Sequence, residues 1–256
     1  MTISLISGLI YLALGVLVAA FGTLIGAGGG IIFVPLFLFL FGWEPAWIVG
    51  TSLTIVLCNA LSGTVAYVRQ HKIKYDAGIV FAIATVPGAI AGAALASYFS
   101  GPVFRLSFGL LLSAIALLLL WKNQQGGYVD ESTERQFSYS VRCGVIISLA
   151  VGFISSIFGI GGGVIHVPAM VYLLGFPAHI ATATSHFVLT ISAAVGVLSH
   201  AVAGHIHWEY AAWFGGGALI GAQLGAQLSR RVRARRILFL LALALLALGV
   251  RLIVLA

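Results

Sequence analysis

Charged side chains are scarce in this chain. Lys, Arg, Asp and Glu make up 7% of its 256 residues, where a soluble domain carries roughly 25%. That excludes a solvated globular fold, and a hydrophobic share of 61% points to an integral membrane protein. The 6 acidic residues all lie outside the long apolar runs, so neither a carboxylate proton relay nor a carboxylate cage for sodium is expected. Cysteine occurs only as Cys58 and Cys143, too few for a disulfide framework or a metal-ligand spacing. The apolar runs hold no Ser/His/Asp set, no paired carboxylates and no H-E-x-x-H stretch, and the chain has no nucleotide-binding motif. An enzyme is therefore not expected, and no cofactor or metal is called for. The net charge of +7 does not imply a nucleic-acid partner. Its basic residues sit in short clusters between apolar runs, as the positive-inside rule requires.

The apolar runs cover residues 4–25, 31–41, 45–68, 77–99 and 103–121, then 143–158, 164–174, 179–203, 210–229 and 237–255. Residues 1–4 lack a positive stretch, so the first run reads as retained rather than as a cleaved signal. One clearly hydrophilic segment, 122–140, divides the chain. The two sides of it are copies: adding 133 to a residue number in the first half gives its match in the second. Gly28-Gly29-Gly30 becomes Gly161-Gly162-Gly163, Val34-Pro35 becomes Val167-Pro168, and Thr51-Ser52 becomes Thr184-Ser185. Gly63, Gly88 and Gly92 become Gly196, Gly221 and Gly225. The expected organisation is a transmembrane repeat at 1–121, a connecting loop at 122–140 and a second transmembrane repeat at 141–256.

Charge placement suggests how the repeats face. Arg69, Lys72 and Lys74 lie between the third and fourth segments of repeat 1, whereas the same connection in repeat 2 has His205 and His207. Arg230, Arg231, Arg233, Arg235 and Arg236 lie between the fourth and fifth segments of repeat 2. Both clusters reach the cytoplasm only if the repeats are inverted, which needs an odd number of crossings in each. The expected fold is all-α, with two inverted repeats of five helical segments, each holding a glycine-broken helix pair. Eight crossings in a parallel four-plus-four arrangement is the alternative.

The glycine breaks are the first candidate site. Irregular backbone at membrane depth survives only when buried in protein or lining a cavity. Paired Gly/Pro-interrupted segments in the two halves of a chain point to a transport site. About 16 residues precede the second break and 11 follow it, so neither flank is expected to span the bilayer alone. The short helix after each break would aim its N-terminus at an anion. Gly28, Gly29, Gly30, Gly161, Gly162 and Gly163 are thus candidate substrate-binding residues. Ser52 and Asn59 on the third segment, and Ser185 and Ser192 on its copy, add hydroxyl and amide donors along one helical face, and Thr51 and Thr184 join them as candidates because the Thr-Ser pair recurs. His166 and His186 are intramembrane groups that could relay a coupling proton, although their counterparts are Phe33 and Leu53. The same small polar residues can instead serve as interhelical glue. Ala84, Gly88, Gly92 and Ala96, with Gly217, Gly221, Gly225 and Ser229, read as a packing face.

The duplicated G-x-G-G-G-x-x-x-V-P, followed by a Thr-Ser pair and a small-residue helix, resembles the sulfite exporter TauE/SafE family, also called the 4-toluene sulfonate uptake permease family. The resemblance spans residues 7–255. It implies a multi-pass permease of the inner (plasma) membrane for small sulfur-containing or organic anions such as sulfite and sulfonates, with export as the expected direction. The partners it implies are a small anionic substrate and the lipid bilayer; a coupling proton and a homo-oligomer are both compatible with it. An anion channel, or a membrane-embedded enzyme or assembly factor, is the competing expectation.

Overall fold

The computed structural model describes residues 3–26, 28–96, 98, 101–124, 139–229 and 234–254. Among these the chain is wholly helical. The helices are α1 Leu5–Leu24, α2 Gly30–Leu40, α3 Pro45–Arg69, α4 Tyr75–Ala96, α5 Gly101–Gln124, α6 Val141–Phe158, α7 Gly163–Tyr172, α8 Ala178–Val202, α9 Trp208–Ser229 and α10 Ala234–Val254. Six of them are long and apolar enough to cross a membrane. The surface is apolar in the manner of a protein dissolved in lipid: Leu17, Ile83, Ile146 and Leu198 are 66–68% exposed. The buried interior instead holds Thr23, Asn59, Ser156, His166, His186, Ser192 and His200. Of the second basic cluster, Arg230, Arg231 and Arg233 lie outside the described residues, as does most of the 122–140 segment.

Two expectations are corrected. The flank before the second break is long enough to cross a membrane, because α6 runs for 18 residues, about 27 Å. Only α2 and α7, with 11 and 10 residues, are short. Asp76 and Glu209 fall inside helices, in the first turns of α4 and α9. There the acidic side chain meets the positive end of the helix dipole.

The halves interleave. The small face of α9 packs on α1: a Cβ on Gly217, Gly221 or Gly225 would collide with the carbonyl of Leu12, Val16 or Ala20 in turn. The small face of α4 packs on α6 in the same register, Gly88 against the Leu149 carbonyl and Gly92 against that of Phe153. Residue numbers rise together in both pairs, so α1 runs parallel to α9 and α4 to α6. Helices α3 and α9 are also parallel, with Cys58 beside Gly215, Ser62 bonded to the Leu219 carbonyl and Gln70 to the Ala226 carbonyl. In contrast α3 and α8 cross antiparallel, with Gly50 against His200, Leu53 against Gly196 and Gly63 against His186. A small apolar plug of Val56, Ala60, Leu189 and Ala193 fills the middle of that crossing.

Candidate functional site

Each glycine break is a reversal at a helix end. Gly28 and Gly161 take φ of 74° and 68°, the left-handed region that other residues enter only with strain. The chain then doubles back: Gly28 N–H donates to the Gly22 carbonyl at 3.2 Å, and a Cβ on Gly22 would strike Gly29 N. The second break doubles back too, with Gly162 beside Val151. The two breaks meet each other. A Cβ on Gly30 would fall 2.6 Å from the Ile160 carbonyl, and Ser52 Oγ donates to the Gly159 carbonyl at 2.8 Å. One on Gly28 would strike Leu189 Cδ2 at 2.5 Å. In this conformation the space between the breaks is filled by backbone and by the plug.

The polar groups flank that plug. On one side Asn59 Oδ1 accepts from Thr23 Oγ1 at 3.0 Å and lies 3.3 Å from His186 Nε2. A carbonyl oxygen only accepts, so the Nε2–H form of the imidazole faces it. Asn59 Nδ2 donates to the Ala19 carbonyl at 3.0 Å. Tyr67 stacks edge-on against His186, with ring centroids 5.4 Å apart, and its hydroxyl donates to the Thr23 carbonyl at 3.0 Å. Beyond Tyr67 lies a cavity of about 170 Å³, lined also by Gln70, Lys72, His179, Thr182 and Ser229. Water occupies about 30 Å³ in the liquid, so a small oxyanion fits. Among the described residues the lining carries the basic side chains of Lys72 and His179 and no acidic one. On the other side of the plug lie Ser156, Ser192 and His200, where Ser156 and His200 are 1% exposed and Ser192 is 2%.

The remaining candidates are spread out. Thr184 Oγ1 accepts from Lys74 N–H at 3.0 Å, and Thr51 Oγ1 accepts from His207 N–H at 3.0 Å. These bonds hold down the connection between the third and fourth segments of the opposite half, one at each end of the molecule. Ser185 is fully buried and its Oγ has no partner. His166 is away from the crossing: its Nε2 lies 3.1 Å from Ser148 Oγ, which donates to the Gly144 carbonyl, and its ring faces Phe81. Thr23 and Tyr67 were not singled out from sequence. The repeat carries a signal for both, because they align with the polar residues Ser156 and His200.

The two ends differ. At the end opposite the cavity, aromatic rings close the bundle: Trp43 sits 4.2 Å from the His207 ring and 4.8 Å from Tyr210, and Tyr11 stacks on Phe214 at 5.0 Å. Burial pushes the His207 imidazole below its usual pKa.

Comparison with known proteins covers nearly the whole chain. The family described as sulfite exporter TauE/SafE matches residues 11–252. A probable membrane transporter protein YunE of Bacillus subtilis is 34% identical, over 96% of this chain and 97% of its own length. A probable membrane transporter protein ORF9 of a Sinorhizobium species is 30% identical, over 96% and 92%. One from Xylella fastidiosa (strain Temecula1) is 28% identical, over 90% and 84%. No solved structure gives a significant match.

Proposed function

From the premise that this chain belongs to the sulfite exporter TauE/SafE family and is a multi-pass membrane transporter, we propose that it carries a small sulfur-containing or organic oxyanion, such as sulfite or a sulfonate, by secondary transport. The observation that carries this reading is the basic-end cavity. It has Lys72 and His179 in its lining and, among the described residues, no carboxylate, and it ends at Tyr67, in contact with His186 and, through Thr23, with Asn59. Charge at the mouth attracts an anion. Hydroxyl, amide and imidazole donors deeper in can hold it without a permanent charge, so it can leave again. The first glycine reversal lies beside this cluster, since Gly22 directly precedes Thr23 and its carbonyl accepts from Gly28 N–H. The repeats are inverted and the cavity faces the cytoplasm in this reading. The parallel course of α3 and α9 supports that, since it brings the 69–74 connection and the end of α9 to one face. Loading from the cytoplasm makes export the working direction.

The test is flux of labelled sulfite, sulfate, taurine and sulfoacetate in proteoliposomes, with and without a pH gradient. Saturable flux of at least one sulfite- or sulfonate-class anion is expected. Absence of flux for the whole panel rejects the reading, and single-channel currents in place of saturable flux replace the transporter with a channel.

A further inference from the structure

The polar cluster around Asn59 has a counterpart that the reading above leaves unused. Adding 133 to Thr23, Asn59, Gly63 and Tyr67 gives Ser156, Ser192, Gly196 and His200. The contacts follow the numbers. A Cβ on Gly63 would meet Thr23 Cγ2 at 3.3 Å and the His186 ring at 2.7 Å. A Cβ on Gly196 would meet Ser156 Oγ at 3.3 Å and Leu53 at 3.0 Å, Leu53 being the residue that aligns with His186. Because α3 and α8 cross antiparallel, Asn59, Gly63 and Tyr67 step from the Val56/Leu189 plug toward the basic end. Ser192, Gly196 and His200 step from it toward the aromatic end.

The two clusters differ in how their hydrogen bonds are used. Asn59 and Thr23 are bonded to each other, and Asn59 also to Ala19, so that His186 Nδ1 is the atom of this cluster left without a partner among the described residues. In the counterpart, Ser156 Oγ, Ser192 Oγ and His200 Nδ1 are buried with no partner; only His200 Nε2 has a contact, 3.5 Å from the Ser156 carbonyl. Unpaired polar atoms are costly to bury, the more so in a membrane protein's interior. The Ser156 and Ser192 hydroxyls, in the register of the other half's polar cluster, are donors without an acceptor, while His200 Nε2–H faces the Ser156 carbonyl and leaves Nδ1 as an acceptor.

We propose that Ser156, Ser192 and His200 form a second subsite for the same oxyanion, so that substrate passes between two repeat-related half-sites across the plug. This rests on the anion-transport reading. The two hydroxyls can each donate to a sulfite or sulfonate oxygen, and His200 Nε2–H can join them by leaving its 3.5 Å contact with the Ser156 carbonyl. With Leu53 in place of His186, this half-site holds the anion more loosely, which suits release at the aromatic end.

The test uses protein with Cys58 and Cys143 replaced by Ala, reconstituted in one orientation. A membrane-impermeant, sulfonate-bearing methanethiosulfonate reagent is added to one face at a time. The Asn59→Cys variant is expected to react from the basic face. Ser192→Cys is expected to react from the aromatic face, at least fivefold more slowly with excess sulfoacetate present, a sulfonate that does not consume the reagent. Ser192→Cys that stays unlabelled from both faces while Asn59→Cys is labelled overturns the proposal. The reagent reports access for a sulfonate without turnover, so this arm still decides if the parent shows no flux and the transport reading falls. Where the parent does transport, the double variant Ser156→Ala, Ser192→Ala is expected to lose at least tenfold in flux. Sulfite affinity in detergent should stay within twofold, because Asn59 and His186 remain, and Ser192→Thr should recover flux relative to Ser192→Ala. Parent-like flux in the double variant overturns the proposal too.

Discussion

At Ser52 and Ser185 the same residue, in the same register of the two halves, has two different jobs. Ser52 Oγ donates to the Gly159 carbonyl at 2.8 Å and ties α3 to the second break. Ser185 Oγ donates to nothing. A hydrogen bond between membrane helices is worth about 0.5–1.5 kcal/mol. Ser52→Ala should therefore lower stability in detergent by about 1 kcal/mol, seen as a lower Tm, while Ser185→Ala leaves Tm unchanged. Equal losses would mean that Ser185 finds a structural partner and is not held in reserve for a ligand. Sequence alone could not separate this pair, because alignment reports that a hydroxyl is present and not where its hydrogen goes. The same limit applies to His166. Its place just after the glycines marked it as a site residue, yet its bond to Ser148 and its contact with Phe81 keep it on the α6 side of α7.

The packing of α4 and α9 was legible as a pattern, since glycine or alanine every fourth residue leaves one helix face flat enough for close approach. Its partners were not legible, because periodicity gives a face and not what covers it. Each face turned out to sit on the first helix of the other half, in matching register. At Gly88 and Gly221 a Cβ would already collide with the Leu149 and Val16 carbonyls, and backbone oxygen in a helix cannot swing aside. Gly88→Leu or Gly221→Leu should cost several kcal/mol by overpacking, read as loss of monodisperse protein after extraction. Normal yield and Tm for either variant would show that these helix pairs can separate without unfolding. The glycine breaks carried a second partial signal. Their positions and their burial were visible, but the doubling back was not. It depends on positive φ at Gly28 and Gly161 and on Gly22 leaving room for the returning chain. None of these is written in a three-glycine string.

Across the whole molecule, the antiparallel crossing of α3 and α8 decides what lies on each side of the membrane. The connection after α3 leaves from one end of the bundle, and the connection after α8 leaves from the other. Two related bonds hold these connections down: Thr184 takes the Lys74 N–H at the basic end, and Thr51 takes the His207 N–H at the aromatic end. The first connection holds Arg69, Lys72 and Lys74; the second holds His205 and His207 and no Lys or Arg. Cytoplasmic loops carry an excess of Lys and Arg, so the basic connection is the one expected to face the cytoplasm. His71 and Ala203 are both exposed, one in each connection. In a protein whose own cysteines have been replaced by Ala, His71→Cys should react with an impermeant thiol reagent only after the membrane is opened. Ala203→Cys should react in intact cells. Labelling of both from the same side is incompatible with opposed repeats. Labelling of both, but each from the side opposite to this expectation, would keep the repeats and turn the basic cavity outward. The cavity would then be the entry for uptake in place of the loading site for export.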